Sequence, residues 1–471
     1  MALGQAFSVV AIMEAQVVNP FGNALVPDMI ADASIQEIDG MFYCYATTDG
    51  YGRGLETSGP PVVWKSKDFV HWSFDGTYFP SAATEKYWAP SKVVQANGKY
   101  YIYPTINGYM YPAVADHPEG PFKLARGEDR FYKPYTASTL LQTEDPGGID
   151  AEVFIDDDGQ AYVFWGRRHV AKLAKDMITV DSVVHVISTP RKEYSEGPIF
   201  FKRKGIYYYV YTLSGNQNYV NAYMMSRESP LSGFVKPEGN DIFLFSAPEN
   251  QVWGPGHGNI FYDEKTDEYI FLYLEYGDGG TTRQVYANRM EFNEDGTIKT
   301  LVPDMRGVGY LSAPQETRRN LALQADFRAS SEKAPRTAVV DIETQPNDPL
   351  PEKASVKKYT RTHTYQAAHV GDESNGTRWM AAVTDSSPYI TVDLKEMRNV
   401  GECQFYFTKP TEGHTWRLEK SVDGKHWQVC AEEKKLQARS PHVAKGIGEA
   451  RYLRLHILRG DAGMWEWKIY E

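Results

Sequence analysis

Five stretches of this chain read alike. "ASIQEIDGMFYCYATTD" begins at Ala33, "SKVVQANGKYYIYPT" at Ser91, "AEVFIDDDGQAYVFWG" at Ala151, "GPIFFKRKGIYYYVYT" at Gly197 and "GNIFYDEKTDEYIFLYLEYG" at Gly258. Each is an apolar run, a polar turn usually ending in Gly, and then a strongly aromatic run. The copies recur roughly 60, 60, 45 and 60 residues apart, the mark of a repeated β-unit. Aromatic and β-branched runs of this length form strands, and an Asp-Gly or Asn-Gly tip supplies the positive φ of a tight hairpin. Further strands follow each copy, as in "PVVWKSKDFVHWSF" and "NAYMMSRESPLSGF". A unit of three or four strands repeated radially closes on itself and protects its sheet edges. The spacing therefore predicts an all-β fold, a five-bladed β-propeller over residues 1–317. Accidental likeness between the hairpins of a β-sandwich does not explain such regularity.

A propeller gives certain polar residues a common address. The first strand of each blade runs beside the axis, so residues at its start converge on one end of the channel. The first, third and fourth copies place Asp32 ("IADASI"), Asp150 ("GIDAEVF") and Glu196 ("YSEGPIFF") there. The second offers Trp88 in "YWAPSKV" and the fifth His257 in "GPGHGNIF". A solvated surface would scatter its acids, whereas here one register holds them. Crowded carboxylates push one another's pKa values apart, so that one stays protonated while another is ionised. Glycosidic hydrolysis needs that division: one carboxyl protonates the leaving oxygen and another activates water or attacks directly. The competing chemistry for an Asp/Glu/His cluster is Ca²⁺ or Mg²⁺ binding, but clustered calcium-ligand loops are absent and an aromatic neighbour suits a sugar better.

Composition narrows the choice. The chain has 471 residues, enough for two or three domains, and its 32 Tyr, 21 Phe and 10 Trp favour strands and, mildly, sugar rings. A net charge of −11 with no basic stripe excludes a nucleic-acid partner. No segment approaches the roughly 20 apolar residues of a membrane span. Cys44, Cys403 and Cys430 lack metal-type spacing; Cys403 and Cys430 are close enough in sequence to bridge, but free thiols are the favoured expectation. "MALGQAFSVVAIMEAQ" has a short apolar run without a preceding basic residue, and reads as a first strand rather than a signal peptide.

These motifs, in this order and in these blades, resemble glycoside hydrolase family 43, five-bladed propellers acting on arabinose- and xylose-containing plant polysaccharides. The resemblance covers about residues 23 to 310. It implies that Asp32, in "ADASI", is the general base and that Glu196, in "EGPIFFKRKGIYYYVYT", is the general acid. Asp150 would then orient the acid and modulate its pKa. Trp88 and Trp165 would stand as sugar-stacking walls, and Arg283, in "TRQVYANRMEF", would lie near the sugar and the acids. His257 would sit on the axis, where the family often holds a calcium ion or its waters. No cofactor is expected for catalysis, and a structural Ca²⁺ is left open. The sequence departs from the family pattern at Ala33, where proline is usual.

From residue 318 the texture changes. "TRW", "ITVDL", "SVDGKHW", "RYLRLHI" and the terminal "WEWKIYE" resemble the discoidin-like (F5/8 type C) β-sandwich, the fold of family 32 carbohydrate-binding modules. Residues 318–471 are expected to form that domain, either binding a glycan or buttressing the propeller. Trp379 and Trp427 are expected in its core, and Trp253 is expected to pack within the propeller rather than bind. A polar insertion between Asp341 and His369 shows no periodicity; it reads as a mobile loop or as an arm toward the propeller. Together the resemblances imply an inverting exo-glycosidase, first an α-L-arabinofuranosidase, with a β-xylosidase or exo-β-galactosidase as alternatives and a non-catalytic glycan-binding propeller as the rival from another class. The expected partner is a plant cell-wall oligosaccharide or polysaccharide. A monomer outside the cytoplasm, periplasmic or extracellular, is expected because such a polymer does not enter a cell.

Overall fold

A computed structural model describes residues 22–471 apart from 51–57, 81–84, 126–147, 167, 181–182, 192–194, 214–215, 278–281 and 344–355. The first strand expected within residues 1–16 lies outside them. The repeated hairpins form as their turns dictate. Asp39-Gly40, Asn97-Gly98 and Lys204-Gly205 each place two successive residues at positive φ, the geometry of a two-residue turn that matches strand twist.

Blade 1 runs through Ile30–Ile38, Met41–Thr48, Val62–Ser66 and Trp72–Thr77, each strand antiparallel to the last. Blade 2 uses Val94–Ala96, Lys99–Ile102, Ala113–Ala115 and Lys123–Leu124 in the same order. Blade 3 uses Glu152–Ile155, Ala161–Trp165, His169–Leu173 and His185–Val186, and blade 4 uses Ile199–Arg203, Ile206–Leu213, Val220–Ser226 and Ile242–Leu244. Blade 5 has Gly258–Asp263, Glu268–Glu275 and Gln284–Met290 among the described residues.

The core lies between blades rather than within them. Tyr45 of blade 1 packs with Ile102 of blade 2, Tyr101 of blade 2 with Val153 of blade 3, and Phe164 of blade 3 with Phe200 of blade 4. Tyr208 of blade 4 packs with Phe271 of blade 5, and Phe261 of blade 5 returns to Ile35 and Trp64 of blade 1. That last contact closes the ring. Aromatic side chains suit these wedge-shaped seams; Phe164 and Phe200 stack at 4.1 Å, worth about 0.5–1.5 kcal/mol beyond their buried area. Closure is reinforced by Asn23, whose side-chain amide donates to Ala287 O and accepts from Ala287 N, as a neighbouring strand would. On the axis, Lys92 Nζ meets Glu152 Oε1 at 2.6 Å and Asn259 Nδ2 donates to Glu152 Oε2 at 3.0 Å. These contacts join the first-strand segments of blades 2, 3 and 5.

The C-terminal sheets form a β-sandwich with Trp379, Phe405, Trp416 and Trp467 in its core. Trp379 is buried as expected. Trp427 departs from expectation: it is half-buried at the surface beneath the Arg454 guanidinium, 3.8 Å from its ring centroid. All three cysteines are free thiols. The sandwich is fixed to blades 1 and 5. Phe74 and Ser440 exchange two backbone hydrogen bonds, Asn375 Nδ2 donates to Leu25 O, and Gln284 Nε2 donates to Asn375 O. The described residues on either side of 344–355 in the polar insertion belong to an antiparallel hairpin, Arg336–Glu343 with Val356–His363, that reaches the propeller. Among the described residues no helix is long and apolar enough to cross a membrane.

Candidate active site

In each blade the first strand leaves one face of the propeller and the second returns to it. Residues at the start of a first strand therefore meet residues at the end of a second. Asp150 N donates to Thr105 Oγ1 at 3.0 Å, and Thr212 N and Oγ1 both donate to Glu196 O, at 3.1 and 2.8 Å. Ala31 pairs with Thr47, after which the register breaks before Ser34. Asp32 sits in that bulge. Its φ is 53° and that of Asp150 is 57°, both left-handed, a conformation Asp tolerates better than most residues. Such bends re-aim a side chain out of strand alternation. Asp32 and Asp150 end up 9% and 5% exposed, on the axis with His257.

Contacts tie the set together. His257 Nδ1 is 3.6 Å from Asp32 Oδ1, and Arg283 Nη1 is 3.5 Å from Asp32 Oδ2. Arg283 is clamped by Asp49, with Nε to Oδ2 at 2.8 Å and Nη2 to Oδ1 at 2.9 Å. Asp150 Oδ2 accepts from Gly197 N at 3.1 Å, which seats it beside Glu196. The Tyr219 hydroxyl donates to Glu196 Oε1.

The electrostatics divide the two aspartates. Burial raises any carboxyl, yet Arg283, His257 and the Thr47 hydroxyl hold Asp32 below the ordinary carboxylate range. Asp150 goes the other way: burial first, then the charges of Glu196 and Asp32, push it up to about 7 against the pull of His257 and the Gly197 N–H. Burial disfavours a charged imidazole, but Asp32, Asp150 and Glu196 outweigh it and raise His257 to about 9. Near neutral pH the pocket thus holds an ionised Asp32, an imidazolium, and an Asp150 carboxyl that is close to half-protonated. One buried site keeps both a base and a proton.

Of the residues singled out from sequence, Asp32, Asp150, Glu196, His257 and Arg283 come together. Trp88 stands at the rim: it pairs with Thr105, the Asp150 partner, and the next residue, Ala89, donates its N–H to Thr47 Oγ1 at 2.7 Å. Trp88 is half-buried, leaving part of its ring available. Trp165 corrects the expectation. It is 1% exposed, packed in the seam of blades 2 and 3 and stacked on His169 at 5.3 Å, so no face is left for a sugar. Trp253 packs as expected, 1% exposed. Three side chains were missed: Thr47, Asp49 and Tyr219. In the run "YATTD" Thr47 lies on the returning strand of blade 1 and Asp49 directly follows it, so pairing that strand against Asp32 would have found them. Among the described residues no three His, Cys, Asp or Glu side chains are grouped as a metal ligand set. A cavity of about 480 Å³ lined by Gln36, Glu37, Lys92 and Lys265 lies toward the opposite face and includes none of the three acids.

Gly197 carries a testable consequence. Its φ is +57°, and an added Cβ would lie 2.6 Å from the His257 ring. Gly197→Ala is expected to push the imidazole off Asp32 and lower kcat/KM by ~10²-fold, with a loss of ~2 kcal/mol in stability from the left-handed backbone and the overlap. Kinetics and thermal melts on the same preparation check it; unchanged kinetics would show that the imidazole position is immaterial.

Both domains have known relatives. Residues 21–298 match the family described as Glycosyl hydrolases family 43, and residues 352–470 match the F5/8 type C domain. A solved structure titled "Glycoside hydrolase" is 60% identical, covers 96% of this chain and 100% of its own, and superposes with a TM-score of 0.86. The β-D-galactofuranosidase xynD of Aspergillus niger is 27% identical over 315 residues, 61% of this chain and 86% of that protein. A family 43 arabinoxylan arabinofuranohydrolase from Bacillus subtilis shares the fold alone, at 19% identity and a TM-score of 0.54 over 96% of this chain and 97% of its own. With most of the propeller spanned by the family match, and a near relative that is itself a glycoside hydrolase along the full length, this chain belongs to glycosyl hydrolase family 43.

Proposed function

We propose that the chain is an inverting exo-α-L-arabinofuranosidase that removes arabinose side chains from plant cell-wall glycans, with Glu196 as general acid, Asp32 as general base and Asp150 as the residue that orients and tunes the acid. The observation that carries this reading is the opposite displacement of two aspartates in one pocket, Asp32 lowered and Asp150 raised to about 7. The lowered carboxyl, Asp32, suits the base, while the raised Asp150, seated against Glu196 by the Gly197 N–H, keeps negative charge off the side of the pocket where the leaving oxygen takes its proton. Glu196 gives its proton to the glycosidic oxygen as the bond to the anomeric carbon breaks. Asp32 takes a proton from water, whose oxygen attacks that carbon from the opposite face in a single displacement. The imidazolium of His257 and the clamped Arg283 hold Asp32 in place, and Trp88 offers an apolar wall to the sugar. No step needs a metal.

The furanoside choice has support in stereochemistry. A β-D-galactofuranoside carries the same ring configuration as an α-L-arabinofuranoside and differs in the group on C4. A relative named for galactofuranose therefore suits a pocket shaped for that ring. A β-xylosidase and an exo-β-galactosidase remain the alternatives. On this reading the catalytic unit is residues 1–317, the second domain residues 318–471, and the enzyme works as a monomer in the periplasm or outside the cell. The test is release of 4-nitrophenol from aryl α-L-arabinofuranoside, β-D-galactofuranoside, β-D-xyloside and β-D-galactoside, with NMR of the first-formed anomer. Preference for a furanoside with inversion is expected. Faster cleavage of the xyloside or galactoside would reassign the sugar, and a retained anomer would overturn the mechanism.

A further inference from the structure

The hairpin Arg336–Glu343 with Val356–His363 forms a two-stranded sheet of its own, outside the sandwich. Its residues alternate. Ala338, Val340, Tyr359 and Arg361 are half-buried and Ile342 is buried, while Thr337, Val339, Asp341, Lys358, Thr360 and Thr362 are exposed. Alternation of period two means that one face of the ribbon is docked and the other faces solvent.

The docked face lies on the propeller. The strand Arg336–Glu343 packs on the short turn Asn216–Asn218 of blade 4. The Arg361 guanidinium lies 3.7 Å from the centroid of the Trp253 ring, donates to Glu275 Oε1 at 2.8 Å, and donates to Gln251 O. Glu275 is 3% exposed, and its second oxygen accepts from Gly277 N at 3.0 Å. Asn216–Asn218 follows the second strand of blade 4, Glu275 ends that of blade 5, and Gln251 and Trp253 precede a first strand, so all belong to the face that carries the acids. The residues next to these anchors reach Glu196. Tyr219 follows the turn and donates to Glu196, and Tyr276 follows Glu275 with its ring 6.4 Å from that of Tyr219.

We propose that this hairpin is the outer wall of the substrate cleft on the leaving-group side, held in place by Arg361, so that the second domain selects the saccharide chain from which the terminal sugar is cut. This rests on Glu196 being the acid. An acid protonates the oxygen shared with the departing chain, so that chain lies on the acid's side, and the hairpin stands over that side. The hydrogen bonds of the Ser440 backbone and the Asn375 side chain to the propeller fix the domain independently, so the wall does not drift with a flexible tether. Arg361 is a positioning residue: it touches the propeller, not the reacting atoms.

The test compares two substrates with the same terminal sugar, one released from nitrophenol and one from an oligosaccharide of three or more units, in wild type, Arg361→Ala and Arg361→Gln. kcat/KM is expected to fall ~10-fold more for the oligosaccharide than for the aryl glycoside, mostly in KM, because only the longer leaving group reaches the wall. Equal loss on both substrates in both variants would reduce the hairpin to scaffolding and overturn the proposal, as would no loss on either. Arg361→Gln guards against a variant that fails to fold, since it keeps a donor toward Glu275. The ratio is read on whichever glycoside the wild type cleaves, so a wrong sugar does not sink it. Failure of the acid assignment appears separately, in Glu196→Gln.

Discussion

Glu196→Gln is expected to slow release of an arabinosyl unit from a sugar alcohol by ~10³–10⁴-fold, yet release from 4-nitrophenol by only ~10-fold, whereas Asp32→Asn slows both by ~10⁴-fold. The asymmetry follows from where each proton goes. A nitrophenolate is a stable anion near neutral pH and departs without help; a sugar alkoxide is not, and needs the acid. The attacking water needs its base whatever leaves. Glutamine keeps an acceptor for the Tyr219 hydroxyl at the Oε1 position, so the change removes a proton without emptying the site. Asn at 32 leaves Arg283 clamped by Asp49, and costs His257 its nearest anion. A series of aryl leaving groups of graded acidity checks the pair: rates in Glu196→Gln should depend steeply on leaving-group acidity, and those in Asp32→Asn should not. A flat dependence in Glu196→Gln would end its assignment as the acid.

Much of this site was legible in the sequence because repetition supplies a coordinate system. Five aligned hairpins fix where a first strand starts, and Asp32, Asp150, Glu196 and His257 share that place without any knowledge of packing. The residues that returned from the opposite direction were harder to see. Thr47 and Asp49 act through the antiparallel partner strand, and Tyr219 through the loop after it, so finding them requires register as well as repeat. Trp165 misled because blade strands are buried on both faces; an aromatic residue near the axis can fill a seam as readily as face a ligand. The docked hairpin was hidden for a different reason. Its second strand turns Tyr359, Arg361 and His363 to the propeller, and Arg361 anchors it through an ion pair to Glu275 and a cation over Trp253. The apolar alternation Ala338, Val340, Ile342 is short and is blurred by the exposed Val339, and the anchoring cation over Trp253 leaves no hydrophobic period to read.

Asp150→Asn is expected to make the protein more stable above pH 7 and much less active. The folded state raises the Asp150 carboxyl from 3.8 to about 7, so folding favours its protonated form. A raised carboxyl contributes stability that is fully present below the unfolded value and is lost as pH climbs through the folded one. Wild type should therefore lose stability between about pH 4 and 7, by as much as ~4 kcal/mol on a linkage argument and ~2 kcal/mol once some relaxation of the pocket is allowed. Asparagine abolishes that loss, because it stays neutral while its amide oxygen still accepts from Gly197 N. Thermal melts should show the two proteins nearly equal at pH 4 and the variant several degrees higher at pH 8. Activity should fall ~10²-fold, and the alkaline limb of kcat/KM should leave its wild-type position, since the proton held near 7 is gone. A variant less stable than wild type at pH 8 would mean that the charged Asp150 is well solvated or fully paired, contrary to its burial beside Glu196 and Asp32. The expected result would instead place part of the catalytic power in a carboxyl that the fold tolerates at a cost, kept where a neutral side chain would fold better and catalyse worse.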